Sequence, residues 1–291
     1  MQAVIAAFAP IWLIGALGWL AARSGWAGEE FQRTLTRFAF NLAMPAVLFG
    51  TLSRTPLDRI QPRPLLAFAV STLVVGLAAF ALWRGKPPER MVAAMSSAYV
   101  NSGNLGIPVG LYVLHDATFV VSVIVFQVTL IAPLVVLCIG AERPSLLTPL
   151  RTPIVMASLL GLGVSALGLH PPGLVAKPLE VLGGAAVPLA LFSLGMSLNG
   201  SAVAWRDTSP VVALKLLAQP LAAFLAGRFL LHLDGHALFA AVLFAGLPTA
   251  QNTYVYAVES GRAADLPRDA ILLSSALSPL TLAAIVLTAS P

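Results

Sequence analysis

The chain has 291 residues, of which 58% are apolar and only 10% charged. A soluble domain carries roughly 25% charged and about 45–50% apolar residues, so a soluble enzyme, a secreted disulfide scaffold and a disordered chain are all excluded. The net charge of +5 comes from basic residues scattered over short connections. They read as anchors of membrane loops, not as a nucleic-acid surface.

What remains is an all-α polytopic membrane protein, whose lipid-facing perimeter needs no charge. Windows of about 19 residues give apolar segments long enough for a ~30 Å hydrocarbon core. Ten are predicted, at approximately 2–22, 36–53, 64–83, 91–114, 118–140, 153–169, 178–198, 209–231, 237–258 and 269–289. The first lacks a basic leader and is too long for a signal-peptide core, so it reads as an uncleaved span. Odd-numbered connections hold 11 Lys and Arg residues and even-numbered ones 5. By the positive-inside rule the odd connections face the cytoplasm and both termini lie outside. Trp83 and Trp205, each beside an arginine, are expected at the inner interface.

The two halves echo each other at an offset of about 145 residues. Span 2 carries Asn41-Leu-Ala-Met-Pro45-Ala-Val-Leu-Phe49, and span 7 carries Gly184-Ala-Ala-Val-Pro188-Leu-Ala-Leu-Phe192. Spans 4 and 9 are each interrupted midway by Gly, Pro and amides: Asn101-Ser102-Gly-Asn104-Leu-Gly106-Ile-Pro108 and Gly246-Leu-Pro248-Thr-Ala-Gln251-Asn252. An odd number of spans per half turns the second repeat upside down. Residues 1–140 form the first five-helix repeat and 153–291 the second, inverted one. Proline removes a donor and clashes with the preceding turn. The freed backbone groups survive at membrane depth only in protein or at a water-filled cavity. Paired interruptions in matching spans therefore point to a transporter site near the midplane.

All twelve acidic residues fall in connections or at span ends, so no midplane carboxylate is available to carry a proton. Sodium on carbonyls, amides and hydroxyls stays open as an alternative. Lys215, in span 8, is the buried-cation candidate. It either snorkels to the interface, balances an anionic substrate, or caps a carbonyl freed by Pro220. Gln219 stands one turn away on the same face. Asn101, Ser102, Asn104, Gln251 and Asn252 flank the breaks, where half-helix N-termini favour anions and an amide serves as cap or ligand. His232, Asp234 and His236 resemble a metal cluster, but they sit in a turn-forming connection, and no metal or cofactor is expected. Cys138, the single cysteine, lies in an apolar run and reads as packing. No nucleophile–base pair, phosphate loop or acid pair lies within a span, so the chain is not expected to be an enzyme.

These residues resemble the auxin efflux carrier family, whose bacterial members include proteins assigned as transporters of malonate and other organic acids. The resemblance covers essentially the whole chain. It rests on Asn101 to Pro108, Leu191-Phe-Ser-Leu-Gly195, Leu247-Pro248 with Tyr254-Val-Tyr-Ala257, and Lys215-x-Leu-x-x-Pro220. It implies a bile-acid sodium symporter-like fold in which spans 4 and 9 cross as broken helices. Spans 1, 2, 6 and 7 would be a scaffold and spans 3–5 and 8–10 a mobile transport domain, moving elevator-fashion, often in a homodimer. Asn101, Pro108 and Pro248 map onto crossover positions, Lys215 onto a basic position, and Asn41, Pro45 and Pro188 onto the scaffold side. The connection 141–152 is far shorter than the plant carriers' loop, and Ser71 and Thr72 stand where plant members carry charge, so auxin is not implied as substrate.

The expected function is secondary transport of a small organic anion across the bacterial inner membrane. Potential-driven efflux is the favoured mode, because one negative charge moving out gains about 2.3 kcal/mol per 100 mV. Sodium-coupled uptake is the alternative. A membrane receptor or assembly partner that binds without transport is the alternative of another class.

Overall fold

The computed structural model describes residues 2–54, 61–106, 109–114, 118–139, 153–169, 171–199 and 202–289. The described residues are almost wholly helical. The helices are α1 (Gln2–Arg23), α2 (Glu29–Leu52), α3 (Pro62–Leu82), α4 (Pro87–Ala98), α5 (Phe119–Ile139), α6 (Pro153–Ala166), α7 (Gly173–Met196), α8 (Trp205–Leu230), α9 (Gly235–Ala245), α10 (Asn252–Glu259) and α11 (Asp265–Ala289). Between α4 and α5 lie two wide π-helical turns, Ser102–Gly106 and Gly110–Leu114. Among the described residues six helices, α2, α3, α5, α7, α8 and α11, are long and apolar enough to cross a bilayer. The protein is therefore a multi-pass membrane protein.

Several boundaries differ from the hydropathy reading, each for a physical reason. Helix α2 begins at Glu29 because Glu29–Phe38 is a polar amphipathic helix, invisible to an apolar window yet fully able to make i→i−4 bonds. Helix α11 likewise starts at Asp265, four residues ahead of the apolar run. Helix α6 is only 14 residues long and ends before Gly168, whose φ of +65° is a left-handed stop.

Three prolines inside spans are absorbed by widened turns, whereas Pro178, Pro210 and Pro279 lie within regular α-helix. The π turns Ala39–Ala43, Gln127–Ile131 and Leu214–Ala218 each end two residues before a proline: Pro45, Pro133 and Pro220. A wide turn moves the carbonyl that would clash with the pyrrolidine ring, so the helix continues with little loss. Each extra residue also rotates the helix face by roughly 100°, which decides where neighbouring polar side chains point.

The helices pack as two groups. In the first, α1 lies along α7, while α2 packs between α6 and α7. Glycines permit these approaches: a Cβ on Gly195 would strike the Gly15 carbonyl, one on Gly18 the Phe192 carbonyl, and one on Gly183 the Val47 backbone. Such small-residue faces let membrane helices meet closely. In the second group α3, α4, α5, α8, α9 and α11 pack around a core that includes Phe68, Phe119 and Phe244. The Gly195→Ala protein is expected to lose about 1–3 kcal/mol through overpacking against backbone. Gly163→Ala, where nothing lies within 4 Å, leaves the melting midpoint unchanged, and thermal unfolding in detergent compares them.

Candidate functional site

The two interrupted segments meet. Helix α4 ends at Ala98 and α9 at Ala245, and the extended residues that follow pair as an antiparallel bridge, Val100 with Thr249. The Asn101 N–H donates to the Pro248 carbonyl at 2.9 Å, and the Ala250 N–H to the Tyr99 carbonyl at 3.1 Å. Two short stretches of strand-like backbone thus satisfy each other at a depth where water is scarce, as backbone accounting requires.

The groups the bridge cannot satisfy are taken up by buried side chains from three other helices. Lys215 of α8, completely buried, donates to the Ala245 carbonyl at 2.9 Å and to Gln219 Oε1 at 2.5 Å. Gln219 in turn donates to the Ala98 carbonyl at 3.0 Å and to Thr72 Oγ1 of α3 at 3.2 Å. One lysine–glutamine pair therefore caps the C-terminal ends of both broken helices. Gln127 of α5 donates to the Val100 carbonyl at 3.0 Å and accepts from Ser102 Oγ at 2.5 Å. Ser274 of α11 accepts from the Thr249 N–H at 3.0 Å, while Thr249 Oγ1 donates to the Ser96 carbonyl at 2.7 Å.

On the other side of the bridge is a cavity of about 150 Å³. Its polar wall is Asn101, Ser102, Gln127, Gln251, Asn252 and Thr51, and its apolar wall comes from α2 (Met44, Val47, Leu48) and α7 (Ala186, Val187, Ala190). Helix α10 begins at this cavity, with Gln251 as its N-cap and Asn252 as its first residue. The N–H groups of Thr253 and Tyr254 are bonded to the Ala250 and Gln251 carbonyls, and the positive end of the helix dipole faces the space. An electrically neutral wall of amides and two hydroxyls, beside the positive end of a helix dipole, suits an anion with several acceptor oxygens.

Of the residues singled out in the sequence, Asn101, Ser102, Gln251 and Asn252 come together at the cavity. Pro248 lies beside them in the bridge, its carbonyl engaged. Asn104 contributes backbone to the first π turn; its side chain and Pro108 lie outside the described residues. Lys215 and Gln219 sit behind the bridge and do not line the cavity. Of the three expected fates of Lys215, the geometry matches capping a freed carbonyl. Asn41 also lies off the cavity: it is exposed and donates to the Arg37 carbonyl at 3.0 Å. The π turn Ala39–Ala43 rotates it away from the face of Met44, Leu48 and Thr51. Pro45 and Pro188 shape the backbone beside the cavity without lining it. Sequence reading passes over Gln127, although a lone amide in the apolar run of span 5 is a usable signal. His236, of the cluster set aside above, has its Nε2 3.1 Å from the Leu114 carbonyl.

A bundle whose two discontinuous helices meet beside a polar cavity has the architecture of a membrane carrier. Comparison with known proteins agrees. The family described as "Membrane transport protein" matches residues 3–144 and 141–286. An "Uncharacterized transporter" of Methanothermobacter thermautotrophicus is 33% identical over 285 residues, covering 91% of this chain and 92% of that protein. A "Putative malonate transporter" of Rhizobium meliloti is 26% identical over 286 residues, covering 91% and 89%. The chain belongs to this membrane transport family, the auxin efflux carriers. It is a transporter and not an enzyme.

Proposed function

We propose that the protein carries a small organic anion, a mono- or dicarboxylate, across the inner membrane by alternating access. The observation that carries this reading is the polarity of the crossover. Each helix C-terminus bears roughly −0.5 charge, and the two that end at Ala98 and Ala245 are capped by Gln219 and Lys215. The last carbonyls of both ends are thus hydrogen-bonded on that side. The positive N-terminal ends and the amides are left to face the cavity, where they select for negative charge. The name of the Rhizobium relative supports a carboxylate.

In this reading ten spans form two inverted five-helix repeats, residues 1–140 and 153–291, with both termini outside. Helices α1, α2, α6 and α7 are the scaffold, which also joins two copies in a homodimer. The remaining helices form a transport unit that moves as an elevator against it. The membrane potential drives efflux, since among the described residues no carboxylate lines the cavity to carry a coupling proton. Purified protein in liposomes tests this with a panel of carboxylates, an imposed potential, and sodium present or absent. Potential-dependent efflux without sodium supports the reading; flux only with a sodium gradient replaces it with symport; binding without flux removes transport from it.

Asn252→Asp separates a ligand role from mere capping. A carboxylate at the first residue of α10 favours the helix dipole by ~0.3–1 kcal/mol, so the melting midpoint is expected to hold or rise. The same charge repels an anion in the cavity and raises the KM for carboxylates at least about tenfold. Unchanged transport would remove the anion from this wall.

A further inference from the structure

The cavity occupies only one side of the crossover. On the other side the two helix groups are pinned together near the first turns of α2 and the last turn of α7. Gln32 of α2 donates through Nε2 to the Tyr254 hydroxyl of α10 at 2.7 Å and to the Ser193 carbonyl of α7 at 3.2 Å. Arg268 of α11, buried and ion-paired to Asp269 at 2.7 Å, donates through Nη1 to the Ser197 carbonyl just past α7 at 3.2 Å. Both links run from the proposed transport unit to the proposed scaffold. Above them Phe40 and Tyr256 meet edge to face, with ring centroids 5.8 Å apart. Leu194 belongs to the same buried cluster. Below them opens a separate polar vestibule of about 520 Å³, walled by Gln32, Arg33, Ser197, Tyr254, Asp265 and Arg268.

We propose that Tyr254, Gln32 and Arg268 latch the inner gate of this transporter, and that the vestibule beneath is the cytoplasmic mouth the gate closes. By the charge bias of the connections, the Glu29 end of α2 is the inner end. The cavity lies toward the opposite end of α2, where Thr51 lines it, so the latch holds a state closed to the cytoplasm. For the cavity to open inward, the Phe40–Tyr256 layer must part. The hydroxyl of Tyr254 and the guanidinium of Arg268 must then leave their partners on α2 and α7. Both can do so at modest cost, because the vestibule is polar and supplies water to the separated groups.

The repeat supplies an internal comparison. The offset of 143 that pairs Pro45 with Pro188 matches Gln32 to Val175 and Ser193 to Gly50. The offset of 149 that pairs Val100 with Thr249 matches Tyr254 to Leu105. These three counterparts at the outer end carry no polar side chain, so they cannot build the same Gln–Tyr–carbonyl link there. In a fold whose two gates are related by pseudosymmetry, such a difference biases the resting orientation. Removing it shifts the population toward the inward-open state.

The inference rests on the two-unit reading proposed above, and the experiment separates the two. In a Cys138→Ser background, Ala190→Cys in the cavity wall reports access to a membrane-impermeant maleimide added from either side of oriented vesicles. The parent is expected to label from the outer side. Tyr254→Phe, which keeps the ring and loses one hydrogen bond, is expected to raise inner-side labelling about fivefold, and Gln32→Leu to do the same. Thr36→Val, which breaks a 2.6 Å contact with Ser193 inside the scaffold, leaves labelling unchanged. No rise in Tyr254→Phe, or an equal rise in Thr36→Val, overturns the latch. Separately, a Phe40→Cys/Tyr256→Cys pair is bridged with a short bis-maleimide and flux is measured. Parent-level flux in the bridged protein overturns the two-unit reading itself. Arrested flux with unaltered labelling in Tyr254→Phe overturns the latch alone.

Discussion

Lys215→Met is expected to abolish transport while the protein still inserts in the membrane. The ammonium makes two buried hydrogen bonds, to the Ala245 carbonyl and to Gln219 Oε1. A buried hydrogen bond contributes ~0.5–1.5 kcal/mol and a stranded buried acceptor costs ~1–3 kcal/mol, so a fall in stability of about 3 kcal/mol follows. Methionine matches the length and fills the space, which isolates the missing charge and donors from a packing defect. Two consequences follow from the position of Lys215 behind the bridge. The negative ends of two helices are left uncompensated close to the anion cavity, and the Ala245 carbonyl loses its partner at a depth without water. The loss should therefore affect every carboxylate in a panel alike, since no substrate-specific contact is removed. Gln219→Leu takes the Ala98 and Thr72 bonds away and leaves the ammonium its Ala245 partner, so it should retain part of the flux. Normal flux in Lys215→Met, measured in liposomes at equal incorporation, would refute the capping role.

How much of this was legible in the sequence depends on the distance over which each interaction acts. The apolar runs of α3, α5, α7, α8 and α11 and the breaks after α4 and α9 are local features. Composition and the Gly, Pro and amide punctuation display them directly. The polar first turns of α2 are helical too, but a hydropathy window cannot see a helix that is not apolar. That stretch holds Gln32 and Thr36, which bond to α7 and α10.

Side-chain direction was least legible. Asn41 and Met44 are three apart and share a face in a regular helix, yet the π turn before Pro45 separates them. The prolines warn of such a turn without stating how the chain accommodates them. Lys215 was recognisable as a buried cation from its neighbours. Its acceptor, the Ala245 carbonyl, is 30 residues away and is exposed only because α9 stops there. That pairing depends on tertiary arrangement, as does the antiparallel meeting of Val100 with Thr249.

Asp269→Ala is expected to be the most destabilising single change outside the helix cores. Asp269 is completely buried, and both of its oxygens are engaged. Oδ1 accepts from Arg268 Nε at 2.7 Å, and Oδ2 accepts from the Ala204 N–H at 2.9 Å. The second bond ties the peptide that connects α7 to α8 onto the start of α11. Removing the carboxylate strands a buried guanidinium, whose remaining acidic partner Asp265 is largely exposed, and orphans a backbone donor. Breaking a buried pair in this way costs about 3–5 kcal/mol. Arg268→Leu together with Asp269→Ala removes both charges and should recover much of that loss, because the desolvation penalty goes with them. The recovery has a functional signature. The double variant lacks the Arg268–Ser197 bond, so its melting midpoint should rise above that of Asp269→Ala while its inner gate stays easier to open than the parent's. Thermal unfolding of the parent and the three variants (Arg268→Leu completes the cycle) reads the stability part, and sided maleimide labelling reads the gate. A double variant less stable than Asp269→Ala would mean that the carboxylate acts through the Ala204 N–H alone and that its pairing with Arg268 contributes nothing.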